Sequence, residues 1–568
     1  MKKYLTHLIT KEPTPQSAPL PETTQVANSA GGYSWAVDEW GRLRRFLILG
    51  SEGGSYYASE RTLTLENANN VLKCIQEDGV RAVNEIVTIS QEGRAPKNDP
   101  AIFALVLAVT KGDEATRQAA FNALPEVCRT GTHLFTFAEL VNGMRGWGRG
   151  LRRAVGGWYK AMDNRSLAYQ LVKYRQRNGW SHTDTLRLAH PMPVNDTQGA
   201  IFKWVTYKPK ENGAIASGEA MANPLEWAEA LNAPEDKALA FIWAFERVQK
   251  AADVETVVQL IEAYDLPREA LPTQWLNDAD VWATLLTKMP MTALIRNLGL
   301  MSRIGLLKPL SEAENVVVER LTNADLLQKA RVHPIAVLIA LRAYSLGYAL
   351  KGKVNRRGYV ATEKSGESGW MPTPRILDAL DKAFELAFKN VEPTNKRIML
   401  ALDVSGSMSS GMVAGVPGLT PREGSAAMAM VTARSEPNYT VISFQDKIVP
   451  LNISARMRLT DVVNMTNGLP FGRTDCAQPM LYAMEKKIAV DTFVVYTDNE
   501  TWANPQLHPV QALNQYREKM AIPAKLVVVG MVSNGFTIAD PNDAGMLDMV
   551  GFDASAPALI ADFARGGV

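Results

Sequence analysis

Arg397-Ile-Met-Leu-Ala-Leu402, followed at once by Asp403-Val-Ser-Gly-Ser407, decides how the carboxyl-terminal part of this chain is read. An apolar run of strand length that stops at an acid and two hydroxyls puts hard oxygen atoms at the carboxyl edge of a sheet. Open α/β folds place ligands at that edge, and small cations can be held there. The pattern repeats downstream: strand-like runs at Thr440–Phe444, Thr492–Tyr496 and Leu526–Val529 alternate with helical stretches at Gly424–Ala433, Ala477–Lys487 and Val510–Met520. Continuous apolar strands with helices between them predict a doubly wound, mainly parallel sheet covered on both faces.

Asp-x-Ser-x-Ser recurs by chance in a long chain, so its context matters. Thr474, in Gly472-Arg-Thr-Asp475, and Asp498, which follows the run Thr492–Tyr496, add a hydroxyl and a carboxylate at loop positions on the same edge. Asp403, Ser405, Ser407, Thr474 and Asp498 thus offer five oxygen ligands from three loops. Two carboxylates and three neutral hydroxyls suit Mg²⁺ or another divalent cation and leave a coordination position for water or a partner's carboxylate. The plainer alternative is that Ser405 and Ser407 cap the next helix and Asp403 is a loop acid. An aspartate-nucleophile phosphatase is a third reading, but Ser405 stands where such an enzyme needs an acid to protonate the leaving group. A metal-dependent protein-binding module without RNA is the remaining alternative.

At 568 residues, 46% hydrophobic and 21% charged, the chain has the composition of an ordinary soluble globular protein. Three cysteines, Cys74, Cys128 and Cys476, exclude a disulfide framework and a four-thiolate zinc site, and imply a reducing compartment such as the cytoplasm. The stretch 1–11 lacks the apolar core of a signal peptide, and no later run has the span of a membrane helix. A net charge of +2 means that any polyanion must be held by local charge.

Before residue 375 the apolar spacing becomes helical. Ala68, Val71, Leu72 and Ile75 share a face that Gly79 is placed to end. Asp99-Pro100 reads as a cap and first helical position opening Ala101–Val109, and Gly112-Asp113 restarts the pattern. Short successive antiparallel helices predict a HEAT-type stack, although no strict period marks it. The expected organisation is a mobile leader at 1–32, a helical-repeat domain at 33–375 and an α/β domain at 376–568. The polar stretch Lys351–Pro374 reads as an exposed loop or hinge.

One stretch of the helical part is strongly basic. Arg145, Arg149, Arg152, Arg153, Lys160, Arg165, Lys173, Arg175, Arg177 and Arg187 are opposed only by Asp163 and Asp184. Trp147, Trp158, Tyr159, Tyr174 and Trp180 lie among them, with His182 and His190 close behind. Guanidinium groups pair with phosphates and aromatic rings stack on unpaired bases, so this interleaving suits RNA. The competing reading is a solvated helix face backed by core tryptophans.

These residues carry a family resemblance. Arg45-Phe-Leu-Ile-Leu-Gly-Ser-Glu-Gly-Gly-Ser-Tyr-Tyr57, His133-Leu-Phe-Thr-Phe137, Lys173-Tyr-Arg-Gln-Arg-Asn-Gly-Trp-Ser-His182, Met289-Pro-Met-Thr-Ala-Leu-Ile-Arg-Asn-Leu298 and Asn534-Gly-Phe-Thr-Ile-Ala-Asp-Pro541 stand in one order. From about Tyr33 to near Val568 the chain resembles the Ro autoantigen family, the TROVE-domain proteins that bind Y RNAs, in a bacterial or phage form. The resemblance implies an α-helical HEAT-like repeat ring plus an α/β von Willebrand factor A-like domain. In that domain Asp403, Ser405, Ser407, Thr474 and Asp498 match the metal-ion-dependent adhesion site. It implies Y RNA on the outer ring surface and single-stranded ends of misfolded non-coding RNAs in the hole, with Lys173, Arg177 and His190 at the RNA and His182, Arg149, Arg152, Arg153 and Arg187 nearby. It implies a monomeric, non-enzymatic scaffold for RNA quality control, with an acidic ligand at the metal and an exoribonuclease tethered through Y RNA. Arg473 departs from the small residue expected beside the metal threonine.

Overall fold

The computed structural model describes residues 13–566 except 53–54, 56–57, 207–234, 349, 355–359, 365–368, 389–391, 414–418, 450, 468, 470–471, 503–505 and 553–554. The chain divides into two compact units, one of Met1–Cys74, Glu92–Lys97 and Leu321–Val568, the other of Ile75–Gln91 and Asn98–Arg320.

The first unit is organised by a six-stranded sheet. Its strands are β1 (Ile398–Asp403), β2 (Tyr439–Phe444), β3 (Ile448–Val449), β4 (Thr492–Thr497), β5 (Lys525–Gly530) and β6 (Met546–Val550), lying in the order β6-β5-β4-β1-β2-β3. All neighbours pair in parallel except β2 and the short edge strand β3. Both β1 and β4 are buried at every position, because helices cover the sheet on each side. Alternate side chains Met399, Ala401, Phe493 and Val495 join Met480, Leu513 and Tyr516 in one core layer. Helix Pro421–Ser435, buried along most of its length, packs on β1, β2 and β4. That helix starts in a capping box, in which Thr420 and Glu423 satisfy each other's backbone N–H groups. The chain leaves β1 toward β2 and returns to β4 on the other side of β1, so the topological switch point lies between β1 and β4. Leu402 pairs with Tyr496, which brings Asp403 beside the end of β4.

Two expectations are corrected in this unit. Residues 13–32 are no loose leader over their described length: Gln16 and Leu20 are buried, and Asn28 and Ser29 bond to Thr501 and Glu500. The strand Tyr33–Ala36 continues this strap by pairing with Phe536–Thr537. The polar stretch Lys351–Pro374 contains most of an antiparallel hairpin, Leu350–Val354 with Val360–Lys364, followed by the start of helix Pro374–Leu386. Its lysines and glycines masked the strand alternation; part of the stretch lies outside the described residues.

The second unit is helical, as expected. Helix Asp99–Lys111 packs against Glu114–Asn122 and Gly131–Arg145, and Val254–Tyr264 against Ala279–Lys288, each layer burying an apolar stripe its neighbour lacks alone. Asp113 caps Glu114–Asn122 by accepting from Thr116 N–H, as its position predicts. Asn98, rather than Asp99, is the N-cap residue of the preceding helix, with Pro100 in its first turn. Glu60–Glu92 breaks at Asp78 (φ −153°, ψ 90°), one residue before the glycine expected to end it. Among the described residues, no helix is long and apolar enough to cross a membrane.

Candidate functional site

The carboxyl edge of the sheet at the switch point collects the oxygen-bearing residues. Asp403, the last residue of β1, is fully buried; its Oδ1 accepts from Ser405 N–H at 2.9 Å and its Oδ2 from the Thr497 hydroxyl at 2.7 Å. The Ser405 and Ser407 hydroxyls lie 3.1 Å apart. Gly406 N–H donates to the Gly472 carbonyl at 2.9 Å, tying the serine loop to the loop that bears Thr474. Asp498, one residue past β4, accepts from Glu500 N–H at 3.1 Å. All five expected residues are buried on this edge.

Side chains the sequence reading passed over hold the loops in place. Arg422 donates to the carbonyls of Val404 (2.5 Å) and Ser405 (2.8 Å), and Gln445 to Val404 at 2.9 Å. Asn534 donates to the Asp498 carbonyl at 2.6 Å and to Glu500 at 3.2 Å. Thr497 and Glu500 flank Asp498 in Thr497-Asp-Asn-Glu500, a polar run straight after a buried strand, and that was the available signal. Arg473 stacks 3.8 Å from the Trp502 ring centroid and is exposed beside Thr474.

The electrostatics at this edge are set by burial and by acids that face one another. Burial raises the Asp403 carboxyl above its ordinary range, against the Ser405 and Thr497 bonds and the Arg422 charge. Burial, then the charges of Asp403 and Glu500, push Asp498 well above its ordinary value. Burial raises Glu500 as well. Oxygen donors that repel one another out of water fit a hard divalent ion, which relieves the repulsion on binding.

The basic residues of the second unit divide in two. Helix Arg149–Lys160 buries Leu151, Val155, Trp158 and Tyr159 and turns Arg149, Arg152 and Arg153 to solvent. Trp158 donates to the Cys128 carbonyl at 2.5 Å, so it belongs to the core. His182 is corrected with it: the imidazole is buried, its Nδ1 lies 2.7 Å from the Tyr159 hydroxyl, and Phe135 packs on its ring, so it cannot touch RNA. Arg187 is half-buried and donates to the Thr206 carbonyl at 2.6 Å.

The others converge. Gln176–Arg177 and Trp180–Ser181 form a hairpin whose two-residue turn, Asn178-Gly179, has positive φ at both positions (51° and 79°), the geometry that an Asn-Gly turn adopts most readily. Trp180 stacks on Trp147 with centroids 5.6 Å apart and 18° between the planes. Trp147 and Arg152 donate to the carbonyls of Leu188 (3.3 Å) and Ala189 (3.2 Å) at the end of helix His182–Ala189, whose C-cap is the exposed His190. A half-exposed indole pair is thereby joined to Arg152, His190 and, across the hairpin, Arg177. Lys173, at the end of helix Asn164–Lys173, lies half-buried with its Nζ 3.0 Å from the Tyr169 hydroxyl.

A doubly wound sheet with Asp-x-Ser-x-Ser, a threonine and an acid at its switch point defines a von Willebrand factor A-type domain, here in a chain that also carries a helical TROVE-type region. A profile of the Ro60 vWA domain matches residues 397–564, and one of the TROVE domain matches residues 26–357. The chain is 41% identical over 556 residues to a Deinococcus radiodurans protein named RNA-binding protein RO60, covering 98% of each. It is 35% identical over 601 residues to the Caenorhabditis elegans protein of that name, covering 96% of this chain and 90% of the other. The crystal structure of the Deinococcus radiodurans RO (RSR) protein superposes with a TM-score of 0.65 at 40% identity, covering 94% of this chain and 100% of that one. The chain belongs to the Ro60 family.

Proposed function

We propose that this protein is an RNA-binding scaffold without catalytic activity of its own, acting in the cytoplasm. The observation that carries the reading is the stacked Trp147–Trp180 pair beside Arg152, Arg177 and His190, within the TROVE-matched region. Guanidinium groups supply sequence-independent affinity through phosphates, and exposed indoles select unpaired bases. In this reading Y RNA lies along the outer surface of a ring of helical repeats, and single-stranded ends of misfolded non-coding RNAs enter its hole. Degradation then falls to an exoribonuclease brought by the bound Y RNA. Two relatives named as RNA-binding proteins support the RNA partner.

At the sheet edge, Asp403, Ser405, Ser407, Thr474 and Asp498 would hold Mg²⁺ or another divalent cation. When bound, that ion supplies a Lewis-acidic position for an acidic ligand. Arg422, Gln445 and Asn534 fix the loops that present the donors.

Fluorescence anisotropy of the full-length protein with a stem-loop bearing a single-stranded 3′ end, against a blunt duplex, tests the reading. Preference for the tailed RNA is expected. Binding of neither RNA would leave a metal-dependent protein-binding module in its place.

A further inference from the structure

Lys173 borders a cleft of about 420 Å³ that lies wholly within the second unit and takes no part in the indole pair or the metal edge. That volume falls in the range of small-ligand sites. Part of its wall is apolar, with Leu266, Leu285 and Met289 packed into the core behind it. Four cations line it, Arg165, Lys173, Arg268 and Lys288, against two acids, Asp265 and Glu269, an excess of two positive charges.

Each cation is held in place before any ligand arrives. Arg165 donates to the Tyr264 carbonyl at 3.1 Å, with its guanidinium carbon 3.8 Å from the Phe241 ring centroid. Arg268 donates to Asn297 Oδ1 at 2.7 Å. Lys288 donates to the Glu262 carbonyl at 3.0 Å and to Asp265 at 2.5 Å. Lys173 rests on the Tyr169 hydroxyl, and Tyr169 itself lines the cleft. Pre-ordered donors lose little side-chain entropy on binding.

An inorganic anion would leave the apolar part of the wall unused, and an apolar molecule would leave the excess of two positive charges uncompensated. A flat heteroaromatic body carrying a phosphate satisfies both. We propose that the cleft binds one nucleotide, its base against Leu266, Leu285 and Met289 and its phosphate among the cations. The nucleotide can be a free nucleoside monophosphate or one extruded from a bound RNA; the second source rests on the proposed function. Lys173 ends its helix three residues before the hairpin that carries Arg177, so an RNA lying on that hairpin reaches the cleft rim.

Calorimetric titration of the full-length protein with AMP, CMP, GMP, UMP and inorganic phosphate tests this. At least one nucleotide should bind about tenfold or more tighter than phosphate. Thr284→Trp, which fills the cleft and removes no charge, should erase that advantage and leave phosphate binding unchanged. Arg268→Gln should weaken both, and keeps the test decisive if the tryptophan variant misfolds. Equal affinity for nucleotides and phosphate in the wild type overturns the proposal.

A single-stranded RNA carrying 2-aminopurine separates the sources. An emission change lost in Thr284→Trp assigns the extruded nucleotide. An unresponsive probe with nucleotide preference intact assigns the free one. Nucleotide preference without any RNA binding sinks the proposed function and spares the cleft, whereas RNA binding without nucleotide preference sinks the cleft alone.

Discussion

Gln16 Nε2 donates to Asp475 Oδ1 at 3.0 Å, across 459 residues of chain. The same amide donates to the Leu507 carbonyl at 2.7 Å, and its oxygen accepts from the Thr501 hydroxyl. The side chain is fully buried, so Gln16→Ala strands polar groups that water cannot reach. Each such group costs about 1–3 kcal/mol. The urea midpoint of the variant should fall accordingly, and an unchanged midpoint would mean the strap is not part of the folded core.

His182 and His133 should make the second unit acid-sensitive. Burial depresses the His182 pKa to about 3 and that of His133 to about 4, both below the ordinary value of 6.5. A folded-state pKa below the unfolded one means that protons favour unfolding. The stabilisation is therefore complete above pH 6.5 and is lost as pH falls below it, at up to about 1.4 kcal/mol per pH unit for each histidine. His182→Gln should be less stable than wild type at neutral pH, since the Tyr159 and aromatic contacts suffer, yet decline less steeply on acidification. Parallel urea-midpoint curves would remove His182 as the cause.

How much could be read in advance follows from how local each signal is. The strand-then-acid runs at Asp403 and Asp498 need only the alternation of apolar strands and helices, and the structure brings both acids to one edge. Thr497 is not legible in the sequence because it is the last strand residue, indistinguishable by pattern from a solvated end, until the fold sets its hydroxyl against Asp403. The buried Arg45, paired with Asp548 at 2.5 Å, and the seat of Gln16 depend on contacts hundreds of residues apart. In the basic stretch helical phase decides what composition does not: His182 and Trp158 face inward while Arg152 and Arg153, on the same helix as Trp158, face solvent. Composition counts both kinds alike.

Exposed cations and carbonyl-bound ones should differ in their effect on RNA. Arg149→Gln and Arg177→Gln are expected to weaken binding of every RNA tested and to lower the salt slope by roughly 0.7 to 0.9 per lost phosphate contact. Arg187→Gln should change the slope less, because that guanidinium is half-buried and turned to the Thr206 carbonyl. Anisotropy titrations across a salt series measure both. An unchanged slope in Arg177→Gln would remove the hairpin from the interface.

Trp180→Ala separates stacking from charge. The indole pair leaves rings half-exposed, and stacking an unpaired base on such a ring contributes about 1–3 kcal/mol. The variant should lose that much affinity for tailed RNA, keep its salt slope, and bind a blunt duplex as wild type does. Equal losses on both RNAs would show that the tryptophan shapes the hairpin rather than contacting bases.

Asp498 tests the cation. Its carboxyl is buried and faces the charges of Asp403 and Glu500. Removing one charge relieves that repulsion, so Asp498→Asn should be more stable than wild type in chelator. Adding Mg²⁺ should reverse the ranking: a ligand at a hundredfold its Kd stabilises by about 2.7 kcal/mol, and the variant forfeits this. RNA affinity should be the same in both proteins, because the basic and aromatic residues belong to the other unit. Thermal melts with chelator, Mg²⁺, Mn²⁺ and Ca²⁺ give the comparison, and a wild-type protein indifferent to all three ions would remove the metal from this edge.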